Sequence, residues 1–330
     1  MLLCMINIYN KRMKKVIIIL LGPTAVGKTE ISINLAKILK TEIISSDSMQ
    51  IYKFMDIGTA KPTPEQRKEI THHMIDIVNP WEYFSTGAYI DKVRKIIEKI
   101  FNEGKLPLIV GGTGLYLRAM TEGIFEGPDA DWSLRKQLIE TEKKHPGYLY
   151  KLLKEVDPVA SKKINTADLR RTIRALEVFL KEKKKITEMQ KQFTRGLPYE
   201  FLKIGITRDR KELYKIIENR VDEMLEKGLI EEVRKILYLI KKNSTDSSQP
   251  LPALQAIGYK EIAGYLSNLY SLSEAIRLIK KRTKMYAKRQ YTWFKKEKDI
   301  VWFDITNHFG IEKIASEIFD LIKTKILLPF

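Results

Sequence analysis

Residues 22–29 read GPTAVGKT, with the spacing G-x-x-x-x-G-K-[ST]. That spacing makes a cradle for a phosphate chain. The N–H groups of a tight glycine turn converge on an anion, and the helix that follows adds the positive end of its dipole. Lys28 supplies a point charge for the distal phosphates, and the Thr29 hydroxyl can hold Mg²⁺. The motif specifies phosphate binding; it does not specify ATP hydrolysis.

Further residues could act beside it. Asp47, in SSDSMQIY, follows the apolar run EII and falls at the C-terminal edge of a sheet, where open α/β folds bind ligands. There it can serve as a metal ligand, a general base or a cap for the next turn. Gly111, Gly112 and Gly114 surround Thr113 at the end of another apolar run. They make either an ordinary turn or a third loop that lets a ligand approach the backbone, with Thr113 facing a phosphate or a base. Arg220, four residues after Ile216 and three after Ile217, borders the inward face of a helix and needs an anion there: a core carboxylate or a phosphate.

The elements that must position these groups alternate at first. KVIIILL, TEIISSD and LPLIVGGTG read as strands, and GKTEISINLAKILK and GAYIDKVRKIIEKIFNEGK as helices. Short continuous apolar runs between helical patterns indicate a parallel sheet covered on both faces. A P-loop requires that strand–loop–helix setting. From Trp132 to Arg195 the pattern is helical and highly charged, with Asp168 as a helix N-cap. Leu169, Ile173, Leu176 and Leu180 form its core stripe, and Arg170, Arg171, Arg174 and Lys181 lie on the other side. That basic side is either a solvated face or a surface for a nucleic-acid backbone. EFLKIGITRDR is a returning strand, LYLIKKNSTDSSQPLP a polar loop, and DIVWFDIT a last strand. In IKKRTKMYAKRQYTWFKKEKD, basic residues alternate with Tyr286, Tyr291, Trp293 and Phe294, a mix that suits base stacking or core packing.

The expected fold is therefore α/β: a P-loop NTPase-like parallel sheet flanked by helices, with an all-helical insertion. Residues 14–125 and 200–330 form the core and residues 126–199 the insertion, after a tail of residues 1–13. A net charge of +18 over 330 residues points to a polyanionic partner, although a Lys-rich composition can produce the same excess. Cys4 is the only cysteine, so a disulfide framework and a Cys-based zinc site are excluded and a reducing cytoplasm is expected. The apolar run at residues 16–21 is too short to span a bilayer and leads into the glycine loop, so no membrane partner is expected.

In order, GPTAVGKT, SSDSMQIY, DIGTAKP, HHMIDIV, GGTGLY, DLRRTIRALEV, NRVDEML, IGYKE and YAKRQYTWF resemble the tRNA dimethylallyltransferase family, also called tRNA isopentenyltransferases. The resemblance covers residues 16–303, and without a C-terminal Cys/His zinc module it fits the bacterial form. It implies transfer of a dimethylallyl group from its diphosphate to the exocyclic amine of the adenosine 3′ to the tRNA anticodon, by a monomer using Mg²⁺. It implies that Gly22, Thr24, Ala25, Val26, Gly27, Lys28 and Thr29 hold the diphosphate and that Arg220 and Thr24 assist. Asp47 is then the general base, and Ser48, Met49 and Gln50 help hold the adenine. Thr113, Arg135, Arg171 and Arg174 match tRNA-contacting positions, and the expected partner is the anticodon stem-loop of tRNA. Arg170 is assigned with them, although the family often has Gln there and Asn in place of Ala167. The rival readings are a P-loop kinase of a small molecule or nucleoside, and a non-catalytic RNA-binding ATPase. The Asn-Lys-x-Asp guanine motif of a GTPase is absent.

Overall fold

A computed structural model describes residues 15–125, 127–244, 251–307 and 310–326. The expected tail of residues 1–13 lies outside them. The strands are β1 (Val16–Leu21), β2 (Ile43–Ser46), β3 (His72–His73), β4 (Leu108–Gly111), β5 (Glu200–Thr207) and β6 (Ile300–Asp304). They pair in parallel in the order β3-β2-β4-β1-β5-β6. β1 is central, and Ile17, Ile18, Ile19 and Leu20 are fully buried, as an unbroken apolar run in a doubly covered sheet requires. The chain leaves β1 towards β2, β3 and β4 on one side, then returns to place β5 and β6 on the other. Loops that follow β1, β2 and β4 meet at the C-terminal edge, where such a change of direction opens a crevice.

The sheet is wrapped by α1 (Lys28–Leu39), α2 (Pro64–Glu69), α3 (Thr86–Asn102) and α4 (Gly114–Thr121) from the first half of the chain. The helical stretch from Trp132 resolves into α5 (Trp132–Lys144), α6 (Tyr148–Val156), α7 (Pro158–Lys163), α8 (Leu169–Glu182) and α9 (Ile186–Phe193). After β5 come α10 (Arg210–Glu226), α11 (Leu229–Asn243), α12 (Tyr259–Leu266), α13 (Leu272–Phe294) and, past β6, α14 (Ile311–Ile326). The described residues of Met1–Leu117, Pro198–Ser244 and Leu251–Phe330 form one compact unit, and those of Arg118–Leu197 form the other.

In the first unit, Ile31 and Leu35 of α1 and Ile314, Ile318 and Ile322 of α14 close one core over the sheet. A second cluster joins Tyr52, Met55, Val221, Val233, Ile236, Tyr259 and Ile279. The helical unit has its own core of Leu138, Leu149, Leu153, Ile173, Leu176 and Met189. Among the described residues no helix is long and apolar enough to cross a membrane.

The last strand and the returning strand form as the sequence predicts. β3 and α2 are among the elements that the sequence did not foresee. β3 is only two residues long, too short for a period-2 signal, and α2 is six residues held by a capping box between Thr63 and Gln66. The segment LYLIKKN, expected in a loop, is helical: Leu229, Val233, Ile236 and Ile240 form a buried stripe that carries α11 to Asn243. Residues 245–250 of that expected loop lie outside the described residues.

Candidate active site

β1 delivers the chain into the phosphate loop at Gly22, whose α-carbon lies against β5. A methyl group there would sit 2.6 Å from the Ile206 carbonyl oxygen, so the loop closes this tightly only with glycine. Ala25 (φ 65°) and Gly27 (φ 105°) adopt left-handed conformations, which turn successive N–H groups to one side. No side chain caps the N-terminus of α1, so its first N–H groups remain available to an anion.

The loop opens on a cavity of about 680 Å³ lined by Thr24, Ala25, Gly27, Lys28, Thr29, Asp47, Gln50, Gly112, Arg220, Tyr286 and Gln290, all in the first unit. Arg208, at the end of β5, adds a cation to its wall and is ion-paired with Glu212. Ile57, Val110, Ile216 and Met224 give it apolar walls.

Lys28 turns back on its own loop and donates from Nζ to the carbonyls of Gly22, at 2.9 Å, and Pro23, at 2.7 Å. Burial lowers its pKa to about 7, Asp47 opposes that shift and Arg220 adds to it. Burial also lowers the pKa of the Arg220 guanidinium, while the charge of Asp47, then those of Glu223 and Glu30, counter it. Lys28 and Arg220 thus share one enclosure with Asp47, and because the lining carries more cations than carboxylates it has net room for an anion.

Asp47 is fixed by its own turn. Its Oδ1 accepts from the N–H of Met49 at 2.8 Å and of Gln50 at 3.3 Å. Among the described residues no hydrogen bond engages Oδ2, which leaves it able to accept a proton. The Thr113 hydroxyl accepts from the Ser48 N–H at 3.0 Å and ties the loop after β4 to the loop after β2. Tyr286 of α13 reaches the same place. Burial pushes its phenol well above the usual range, Asp47 adds to that push, and the charge of Arg289 partly offsets it.

Two expected ligands are already occupied. The Thr24 N–H donates to Gln290 Oε1 at 2.8 Å, so its hydroxyl is what Thr24 can offer a phosphate. The Gln50 side-chain amide donates to the carbonyls of Thr59 and Ala60 at 3.3 Å and accepts from Ser45 at 3.1 Å. It shapes the wall more than it reaches into the space. Met49 packs its side chain against the cluster around Tyr52.

In the helical unit the four arginines expected to contact tRNA divide into two pairs. Arg135 grips Glu177 with two hydrogen bonds, at 2.9 and 2.8 Å, and lies over the Trp132 ring. Arg174 reaches the same carboxylate at 2.5 Å and the Pro128 carbonyl at 2.9 Å. Glu177 is fully buried. Burial alone would raise its pKa, but hydrogen bonds from Arg135, Arg174 and the Asp131 N–H hold it below the ordinary carboxylate range. Arg135 and Arg174 therefore neutralise an internal acid. Arg170 is exposed, and so is Arg171, although it pairs with Asp168 at 2.5 Å.

Sequence reasoning overlooked Gln290, Arg208 and Tyr286 as pocket residues. Gln290 carried one legible signal: a polar residue three positions after Ala287 and four before Phe294, both buried.

The sequence model of the family described as IPP transferase matches residues 50–297. A tRNA dimethylallyltransferase of Thermodesulfovibrio yellowstonii is 69% identical over 310 residues, covering 94% of this chain and 98% of its own. One from Thermotoga maritima is 48% identical over 285 residues, covering 86% and 91%. Among solved structures, the full-length tRNA isopentenylpyrophosphate transferase of Bacillus halodurans superposes with a TM-score of 0.69 at 40% identity, covering 95% of this chain and 97% of that one. A eukaryotic dimethylallyltransferase acting on tRNA superposes with a TM-score of 0.78 at 29% identity, covering 96% and 81%.

Proposed function

The chain belongs to the IPP transferase family, and from that premise we propose how its cavity transfers a dimethylallyl group to tRNA. The enzyme is a tRNA dimethylallyltransferase, which displaces the kinase reading. The donor is dimethylallyl diphosphate, the acceptor is the N6 amine of the adenosine 3′ to the anticodon, and the chain acts as a monomer.

The reaction breaks the bond between the allylic carbon and the diphosphate oxygen and forms a bond from that carbon to N6. The N6 proton goes to Asp47, and diphosphate departs. The N–H groups of the turn from Ala25 onward, with Lys28 and Arg220, stabilise the charge that builds on the departing diphosphate. The apolar side chains of Ile57, Ile216 and Met224 suit the dimethylallyl group and restrict water around it. The adenine amine is a weak nucleophile because its lone pair is delocalised into the ring. The open Oδ2 of Asp47 takes its proton during attack, a contribution of about 10²–10⁴-fold. An adenine reaching this cavity must leave its stack.

Mg²⁺ fits the donor set. Thr29 lines the cavity, and among the described residues no hydrogen bond engages its hydroxyl. No group of three or more His, Cys, Asp or Glu among the described residues could hold a metal by itself. The Thr29 hydroxyl would therefore hold the ion together with the donor's phosphates, and the ion would add positive charge to the leaving group.

The observation that carries this reading is the convergence of Lys28, Arg220 and Asp47 on one cavity at the end of the phosphate loop. It is tested by incubating the protein with unmodified tRNA, Mg²⁺ and dimethylallyl diphosphate labelled in the allyl group. Label entering the adenosine beside the anticodon is expected. Unlabelled tRNA, with phosphate moved from ATP to a small acceptor instead, would refute it.

A further inference from the structure

Gln290 is a buried polar side chain on α13, 7% exposed, and it spans two loops of the site. Its Oε1 accepts from the Thr24 N–H in the phosphate loop at 2.8 Å. Its Nε2 donates to the Gly112 carbonyl in the loop after β4 at 2.9 Å. The loop after β4 in turn holds the loop after β2, because the Thr113 hydroxyl accepts from the Ser48 N–H and the Thr113 N–H donates to the Ser46 carbonyl at 3.1 Å. A single chain of hydrogen bonds therefore runs from the diphosphate cradle to the turn that carries Asp47.

The chemistry of this link is specific. Thr24 presents a donor and Gly112 an acceptor, so the bridge needs one acceptor and one donor on a rigid planar group. A primary amide meets both needs; a carboxylate would set its lone pairs against the Gly112 carbonyl, and an apolar chain would strand both backbone groups. The fit leaves no slack, since a methyl group at Gly112 would lie 2.3 Å from Nε2 of Gln290.

We propose that Gln290 is a positioning residue for the transfer step: it sets the separation between the bound diphosphate and the proton-accepting Asp47. The inference rests on the function proposed above. Without the bridge, each loop keeps its own hydrogen bonds and its own ligand. Diphosphate still binds the turn and tRNA still binds, but the leaving group and the amine no longer meet at reacting distance. Misplacement by about 1 Å is enough to slow such a step by roughly 10²-fold. The signature is a loss in rate without a matching loss in affinity.

The test uses the full-length protein and four variants: Gln290→Met, Gln290→Ala, Gly112→Ala and Gly112→Ala with Gln290→Ala. Single-turnover transfer from dimethylallyl diphosphate to tRNA is measured beside the Kd of pyrophosphate, the Kd of tRNA and the melting temperature. Gln290→Met is expected to transfer about 10–100-fold more slowly. Its two Kd values should stay within about threefold of wild type, a shift of under 1 kcal/mol. Gly112→Ala presses a methyl group onto the amide and should reproduce the rate loss. In the Gln290→Ala background the clash with the amide is gone and only the Gly22 carbonyl oxygen stays close, at 3.3 Å, so the second substitution should cost less than it does in the wild type, giving a non-additive cycle. An unchanged rate in Gln290→Met overturns the role, as does an additive cycle or a rate loss matched by lost pyrophosphate binding or a collapsed melting temperature. Absence of transfer by the wild-type protein would instead refute the proposed function itself, and this role with it.

Discussion

Lys28 holds its ammonium 2.9 Å from the carbonyl oxygen of Gly22, the first residue of its own loop. The lysine thus occupies its own cradle, at a pKa that burial brings down to about 7. A diphosphate entering the cradle replaces those carbonyls with full negative charges and raises that value. The bound form therefore has the higher pKa. Its contribution to binding is fully present below the free value of about 7 and is lost as pH rises through the bound value. The Kd of pyrophosphate should rise by up to about tenfold per pH unit above neutrality. Lys28→Met should bind weakly and lose that component. Isothermal titration of both proteins across the range separates the lysine from pyrophosphate's own titration, and identical slopes would refute the assignment.

Arg220 shares the enclosure with Asp47, whose charge opposes the loss of the guanidinium proton. Arg220→Gln removes a cation from the leaving group while leaving the base in place. Transfer should slow by about 10²–10³-fold, as when one donor to a developing anion is lost. The tRNA Kd should be unaffected. Rapid-quench transfer beside filter binding checks both numbers, and a drop in tRNA affinity alone would place Arg220 in RNA contact instead.

Arg171 is exposed and Arg135 is committed to Glu177, so the two substitutions should differ in kind. Arg171→Ala should weaken tRNA binding and flatten its salt dependence by about one unit of slope. Arg135→Ala should lower the unfolding free energy by about 1–3 kcal/mol, the cost of stranding part of a buried carboxylate, and change the salt slope little. Salt titrations of tRNA binding and denaturant melts would show a reversed pattern if Arg135 were the RNA contact.

The Glu177 cluster also has a pH signature. Its carboxyl is held below the ordinary value, so its stabilisation is present above about pH 4.3 and is lost as pH falls through the depressed value. The stability gap between wild type and Arg135→Ala should therefore close in acid. A gap that widens as pH falls would contradict the arrangement.

The phosphate loop, the central strands and Asp47 were legible because each rests on local pattern: an apolar run, a glycine spacing, an acid at a strand end. Gln290 was not, because its partners Thr24 and Gly112 lie 266 and 178 residues away in sequence. Its place on the face of Ala287 and Phe294 marks it as inward-facing, but only the fold shows which loops it joins. Glu177 was hidden for a similar reason. It follows Arg174 by three residues on a basic helix and reads as a surface pair, until the fold brings Arg135 to its other oxygen and closes the core around it. β3 and α2 were missed because elements this short form by capping and by pairing with longer neighbours.

The central claim is that Asp47 accepts the adenine proton while the phosphate loop holds the leaving group. Its most direct test is single-turnover transfer of labelled dimethylallyl from its diphosphate to tRNA by Asp47→Asn, with the Kd of tRNA measured in parallel. Asn keeps an oxygen for the Met49 and Gln50 N–H groups but cannot serve as the base. Transfer should fall by about 10²–10⁴-fold with tRNA binding within about threefold of wild type. Transfer at the wild-type rate would contradict the account.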